Sequence, residues 1–391
     1  MPESSFVAYL TPQLPELLAE LAALSAMDCG TYDKGGVDAV GRQIRAKAEA
    51  RGAAVETFAG GELGDSLVAT WRGTGTARVL LVGHLDTVYP PEWPTDHPFT
   101  IQGDRALGPG TADMKGGLLT GLYALDALRT AGFTNFAEIA FVFNSDEEIG
   151  SPSSTALIRR IAEGRDAVLV LEPGRANGNI VSARKGMGTF ELRITGQAAH
   201  AGVDPEKGHS AILEMAHQTV AFHALNNLPG GITVNVGVVN GGTRGNVVAA
   251  EATAKIDVRA RTPEDLETTI AAMQRLAAAP TVAGTTAALT GAVGHQPMAR
   301  TEAIARLAAL CQEAARAAGF TVEETATGGG SDGNTTAAMG VPTLDGLGPV
   351  GGGAHSPDEY LEISSLAPRA AMLAGLIERV CNEKGGTGSA P

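Results

Sequence analysis

The sequence predicts an α/β protein: a discontinuous larger domain with a mostly parallel sheet and helices on both faces, interrupted by an inserted ferredoxin-like (βαββαβ) domain. Three observations predict it. Short apolar runs at 78–83 (RVLLVG), 138–143 (EIAFVF) and 167–171 (AVLVL) do not alternate with polar residues, so they read as strands buried on both faces. Helical patterns at 114–131 and 152–163 separate these runs, as βα units require. Between 185 and 296 the pattern switches to half-polar strands, the mark of an open sheet covered on one face only.

Taken in order, a helix over about 12–26 leads into a Gly-punctuated region and then the three buried runs. The insert opens with GTFELRIT (188–195), followed by a helical stretch at 209–225 and strands at 232–239 and 252–260. A second helix over 263–278 is opened by Thr262 and Pro263 as N-cap and first turn, and a strand at 285–292 closes the β-α-β-β-α-β order. Helix 301–319, a Gly-rich loop at 328–334 and helix 364–381 resume the first style. The domains are therefore 1–184 with 297–391, and 185–296. The tail GGTGSAP is expected to be disordered. At 391 residues with 44% apolar composition, two cores are the reasonable expectation, while 51 glycines and 4% aromatics suit tight strand-to-helix turns more than a β-sandwich.

A net charge of −14 argues against nucleic acid and anionic membrane surfaces as partners and is compatible with cation binding. Cys29, Cys311 and Cys381 lie far apart without a CxxC spacing, and no 18-residue apolar run or secretory leader is present. The expectation is a cytoplasmic protein with ordinary thiols.

Chemistry-bearing residues follow each buried run directly: His84 and Asp86, then Asp146, Glu147 and Glu148, then Glu172. Carboxyl ends of parallel strands face one crevice, so these groups converge. Asp113 after GPGTA and His355 in GGGAHSPDEY are further candidates. A single carboxylate at a strand end is usually a helix cap or a solvated charge. Several brought together repel one another unless divalent cations neutralise them, and mixed imidazole and carboxylate donors suit zinc, with cobalt or manganese as substitutes. His84 and Asp86 point to one side of an extended backbone, which would let Asp86 accept the second ring N–H of His84. Glu147 and Glu148 should diverge, one toward metal and one toward proton transfer.

The stretches GHLDTV (83–88), GPGTADMKGG (108–117), NSDEEIGS (144–151), LEP (171–173), GQAAHAG (196–202), GGGSDGN (328–334) and GGGAHSPDEY (351–360) resemble, in order, the motifs of the di-zinc family of glutamate carboxypeptidase, acetylornithine deacetylase and succinyl-diaminopimelate desuccinylase. The resemblance covers nearly the whole chain. It implies two Zn²⁺ bridged by Asp113, with His84 and Glu172 completing one site and Glu148 and His355 the other. Glu147 is then the general base, with Asp86 behind His84 counted among the catalytic residues, and the Asp113–Met114 peptide is cis. It further implies a homodimer formed through the insert, with His200 stabilising the oxyanion in the partner subunit's site. Arg259 and Asn246 match positions around the substrate carboxylate, and Gly330 and Ser331 fall in a substrate-binding stretch. A sheet salt bridge to Asp257 is the structural alternative for Arg259, and His209, His217 and His223 read as structural. Glutamate-cleaving members carry an Arg before a proline near the end of the insert, where this chain reads Gly294-His295-Gln296-Pro297, so glutamate is not singled out as the leaving residue.

The expected function is metal-dependent hydrolysis of an amide bond beside a free carboxylate, on small peptides or N-acyl amino acids. Ureido or carbamoyl C–N hydrolysis on the same scaffold is a rival, as is a non-catalytic metal or amino-acid binding protein. A binding protein has no need of a proton-handling carboxylate beside Glu148. A dehydrogenase does not fit, because GTGTARVLL places its glycines before a strand.

Overall fold

A computed structural model describes residues 4–386. Among these, two compact units are formed: one by residues up to 182 with 300–326 and from 331 onward, the other by residues 183–299 with 327–330.

The larger unit is built on a six-stranded sheet, ordered Ala54–Phe58, Ser66–Arg72, Glu138–Asn144, Arg78–His84, Ala167–Val170 and Thr343–Leu344. Strand Arg78–His84 runs parallel to both neighbours, and Thr343–Leu344 runs parallel to Ala167–Val170. Only Ser66–Arg72 runs against the rest. The non-alternating apolar runs are explained by burial on both faces. Val79, Leu81, Phe141 and Leu169 enter one core with helices Gly116–Thr130, Glu302–Ala317 and Ile363–Gly386, whereas Leu80, Val82, Val142 and Val170 enter the other with helix Thr155–Ala162. Helix Lys34–Ala50, capped by Asp33, and strands Ala54–Phe58 and Ser66–Arg72 occupy what the sequence reading left as a Gly-punctuated region. In the tail, Gly385 and Gly386 close the last helix, and the remainder lies outside the described residues.

The smaller unit has an antiparallel sheet ordered Thr233–Gly241, Glu251–Ala260, Gly186–Thr195 and Thr286–His295, with helices Ala211–His223 and Pro263–Ala277. Strand Gly186–Thr195 alternates buried and exposed positions along its length. Its inward Phe190, Leu192 and Ile194 pack with Met215, Phe222, Leu266 and Met273 of the two helices, so one face carries the core. Among the described residues, no helix is long and apolar enough to cross a membrane. Cys29, Cys311 and Cys381 are free and buried.

Candidate metal centre

His84 ends its strand, in parallel register with Asn144, so the turn after Asn144 carries Glu147 and Glu148 beside it. Glu172 lies two residues past the neighbouring parallel strand. Asp113 comes from the loop before helix Gly116–Thr130, where the Asp113–Met114 peptide is cis as the family resemblance implied. His355 sits between the short strands Gly351–Gly352 and Tyr360–Glu362, and the second of these pairs with Arg105–Leu107. His355 takes a left-handed backbone conformation at φ 64°. That conformation costs a non-glycine residue roughly 1–2 kcal/mol.

The side chains meet around Asp113. Its Oδ1 lies 3.1 Å from His84 Nε2, which is 3.8 Å from Glu172 Oε1. Its Oδ2 lies 3.3 Å from His355 Nε2, which is 3.1 Å from Glu148 Oε2. Two donor groups result, His84–Asp113–Glu172 and Asp113–Glu148–His355, each with its ligand atoms within 4.8 Å of one another. This donor set fits a pair of divalent cations. Carboxylate oxygen and imidazole nitrogen are suitable ligands, Asp113 offers one oxygen to each group, and Glu148 Oε1 is buried with no hydrogen-bond donor.

Electrostatics follow from the crowding. Burial, then the nearby Glu172 carboxylate, push Glu147 well above the usual carboxylate range. Burial raises Glu148 too. Against its own burial, hydrogen bonds from His355 and His84 hold Asp113 low. His355 is pushed up to about 10 by Asp113 and Glu148.

Asp86 stands behind His84, where the spacing put it. The nearest partner of His84 Nδ1 is the Asp86 backbone carbonyl at 2.9 Å, with the carboxylate at 3.4 Å. That carboxylate also accepts from Thr31 Oγ1 at 2.7 Å and from the backbone N–H groups of Glu147 and Glu148 at 3.2 and 3.3 Å. Asp86 thus ties the Glu147–Glu148 turn to the His84 strand.

Ser331 departs from its expected place among the substrate contacts. Its side chain is buried, donates to Asp345 and accepts from Gly333 N–H as N-cap of helix Asp332–Ala338, so it offers nothing to a substrate. The Arg259 guanidinium is engaged within the smaller unit. One edge of it is bonded to Asp257 at 2.9 and 3.3 Å, the salt bridge weighed as the alternative, and Nη1 donates to the Gly328 carbonyl at 2.7 Å. His200 and Asn246 are exposed in the smaller unit, where the Ala201 N–H donates to the Asn246 carbonyl and His200 forms a bridge with Val247. Gly330 lies in that unit beside Met187 and His295.

Sequence reasoning missed Glu359. This buried carboxylate accepts from the backbone N–H groups of Gly110, Ala112 and Asp113, each at 2.9 Å, and from Tyr89 Oη at 2.7 Å. It lies four residues after His355 and so couples the two loops that carry Asp113 and His355. Its only sequence signal was an acid within the PDEY stretch.

A protein with this sheet and two adjoining carboxylate–imidazole groups belongs to the metal-dependent hydrolases. More particularly, the chain belongs to peptidase family M20/M25/M40, whose sequence pattern matches residues 80–379. It is 32% identical over 372 residues to carboxypeptidase G2 of Pseudomonas sp. (strain RS-16), covering 94% of this chain and 90% of the relative. It is 28% identical to acetylornithine deacetylase of Proteus mirabilis, covering 81% and 82%. Among solved structures, aminopeptidase PepT of Bacillus cereus superposes with a TM-score of 0.80 at 26% identity, covering 94% of this chain and 98% of that one. The chain is accordingly a metal-dependent amide hydrolase.

Proposed function

We propose that the protein is a two-zinc enzyme that cleaves the amide bond beside a free carboxylate, releasing an amino acid from a small peptide or an N-acyl amino acid. One observation carries this reading: the two oxygens of Asp113 each face a separate imidazole–carboxylate pair. The kinship with a protein named as a carboxypeptidase and one named as a deacetylase supports the substrate class.

His84, Asp113 and Glu172 would hold one cation, and Asp113, Glu148 and His355 the other. When bound, such a pair would supply Lewis acidity toward the carbonyl and lower the pKa of the attacking water. Glu147, whose carboxyl is already biased toward holding a proton, takes one from the attacking water and returns it to the leaving nitrogen. Asp86 keeps Glu147 in place through its backbone N–H. His200 of the partner subunit donates to the developing oxyanion, and Arg259, Asn246 and Gly330 contact the substrate carboxylate, with Arg259 using N–H groups that Asp257 does not engage. The buried free thiols support a cytoplasmic setting.

The test pairs metal analysis with hydrolysis of N-acyl amino acids and dipeptides by parent and Glu147→Gln. Two zinc ions per chain in both proteins, with turnover lower by several orders of magnitude in Glu147→Gln, is the expected result. Loss of metal from Glu147→Gln would mean that Glu147 is a ligand and the pair is assigned the wrong way round.

A further inference from the structure

Beside Glu148, within the larger unit, lies a cavity of about 640 Å³ whose walls include Tyr32, Val88, Tyr89, Pro90, Pro91 and Ile149. That volume is in the range of sites that bury a small organic molecule. Tyr32, Val88 and Ile149 are 80%, 41% and 37% exposed, large apolar side chains that folding alone leaves uncovered and that gather at one place. Scattered exposed apolar residues need no explanation, whereas a cluster that abuts a reaction centre does.

The walls are built rather than incidental. The loop carrying Tyr32 pairs with the loop carrying Val88 through Thr31 N–H to the Thr87 carbonyl at 3.1 Å and Thr87 N–H to the Cys29 carbonyl at 2.9 Å. Thr31 is fixed to Asp86, and Tyr89 is fixed to Glu359 and stacks on Trp93 at 5.1 Å between ring centroids. The cavity therefore stands ready without ordering of loops, which favours binding.

Its charge decides which end of a substrate enters. The lining contains the carboxylates of Asp33 and Glu148 and no Lys, Arg or His. With Glu148 committed to a cation, the lining still offers no cationic side chain to answer the free carboxylate of a leaving amino acid, whereas an uncharged acyl group needs none. We propose that this cavity receives the acyl side of the scissile amide and selects an apolar or aromatic acyl group, with Tyr32 and Ile149 as its specificity-determining contacts. The proposal rests on the amide-hydrolase reading of the metal centre.

The experiment measures calorimetric binding of N-benzoyl and N-acetyl forms of alanine and of glutamate to zinc-loaded Glu147→Gln, alone and combined with Tyr32→Ala or Tyr32→Phe. Hydrolysis of the same compounds is followed with the zinc-loaded parent. N-benzoyl forms should bind at least tenfold tighter than N-acetyl forms, since a phenyl ring buries far more apolar surface than a methyl group. Tyr32→Ala should lower affinity for the benzoyl forms about tenfold more than for the acetyl forms, and Tyr32→Phe should keep the preference. Because Tyr32 is exposed, its replacement leaves the fold intact. Equal affinity for both acyl forms, or a benzoyl preference that survives Tyr32→Ala, overturns the proposal. A benzoyl preference without hydrolysis of any compound by the parent would uphold the cavity and refute the amide-cleaving reading instead.

Discussion

At the scale of residues, the metal centre is governed by how few charges answer several carboxylates. His355 is pushed up to about 10 by Asp113 and Glu148, so in the metal-free protein it stays protonated at neutral pH. A raised imidazole pKa means that this contact stabilises the metal-free fold fully below the ordinary histidine range, and that the contribution is lost as pH rises through about 10. Metal binding needs the neutral imidazole and must displace its proton. Zinc affinity should therefore rise with pH between about 6 and 8, with proton release measurable by calorimetry in two buffers of different ionisation enthalpy. An affinity flat over that interval would contradict the assignment of His355. Glu359 leads to a second expectation. Glu359→Gln turns an amide N–H₂ toward backbone donors it cannot satisfy, loosening the loop that presents Asp113. Metal affinity should fall by roughly 10–100-fold while the far-UV circular dichroism is kept, with Glu359→Asp intermediate. Unchanged affinity in Glu359→Gln would make the residue a spectator. His84, Glu148 and Glu172 were legible because each follows an apolar run, and Asp113 and His355 through the Gly-rich motifs that carry them, but Glu359 was not. Its partners are backbone N–H groups about 250 positions away, a relation that no local pattern encodes.

At the scale of elements, three strands of the larger sheet and those of the smaller one were read from burial period, whereas Ala54–Phe58, Ser66–Arg72, Thr343–Leu344 and the helices rich in glycine were not. Lys34–Ala50 contains Gly35, Gly36 and Gly41, which look like breaks in a sequence. Gly36 is there because a Cβ would run into the Asp28 carbonyl, so close approach outweighs its poor helix propensity. Helix Asp332–Ala338 was hidden for a different reason: it is only 7 residues long and starts inside GGGSDGN, a stretch that reads as loop. Its start is fixed by a reciprocal pair, Ser331 Oγ accepting from Gly333 N–H and Asn334 accepting from Ser331 N–H at 3.0 Å. Ser331→Ala removes the cap and leaves buried Asp345 without its donor hydroxyl. A loss of about 1–2 kcal/mol in chemical denaturation is expected, with KM unchanged for any substrate the enzyme accepts. A raised KM at unaltered stability would restore Ser331 as a substrate contact.

At the scale of the whole molecule, the smaller unit leaves a surface that its own core does not use. Helix Ala211–His223 presents Leu213 and Val220, 52% and 73% exposed and two helical turns apart on one side, with Ile212 beside them. The adjacent strand Thr233–Gly241 is a sheet edge and carries exposed Val238 and Val239. An unpaired edge next to exposed aliphatic side chains invites a second strand, and a protein that does not aggregate there must cover it. A symmetric second copy covers helix and edge together, because one patch then meets itself across a two-fold axis. The expected state is a homodimer at micromolar concentration by light scattering. Leu213→Lys with Val220→Lys places like charges against each other at that axis and should yield monomers. The inward Phe222 and Met215 of the same helix are untouched by these changes, so the unit should keep its circular dichroism. If His200 serves the partner subunit's centre, turnover should fall in step with the dimer fraction while zinc content stays constant. Parent protein that is monomeric and fully active would refute both the interface and that role for His200.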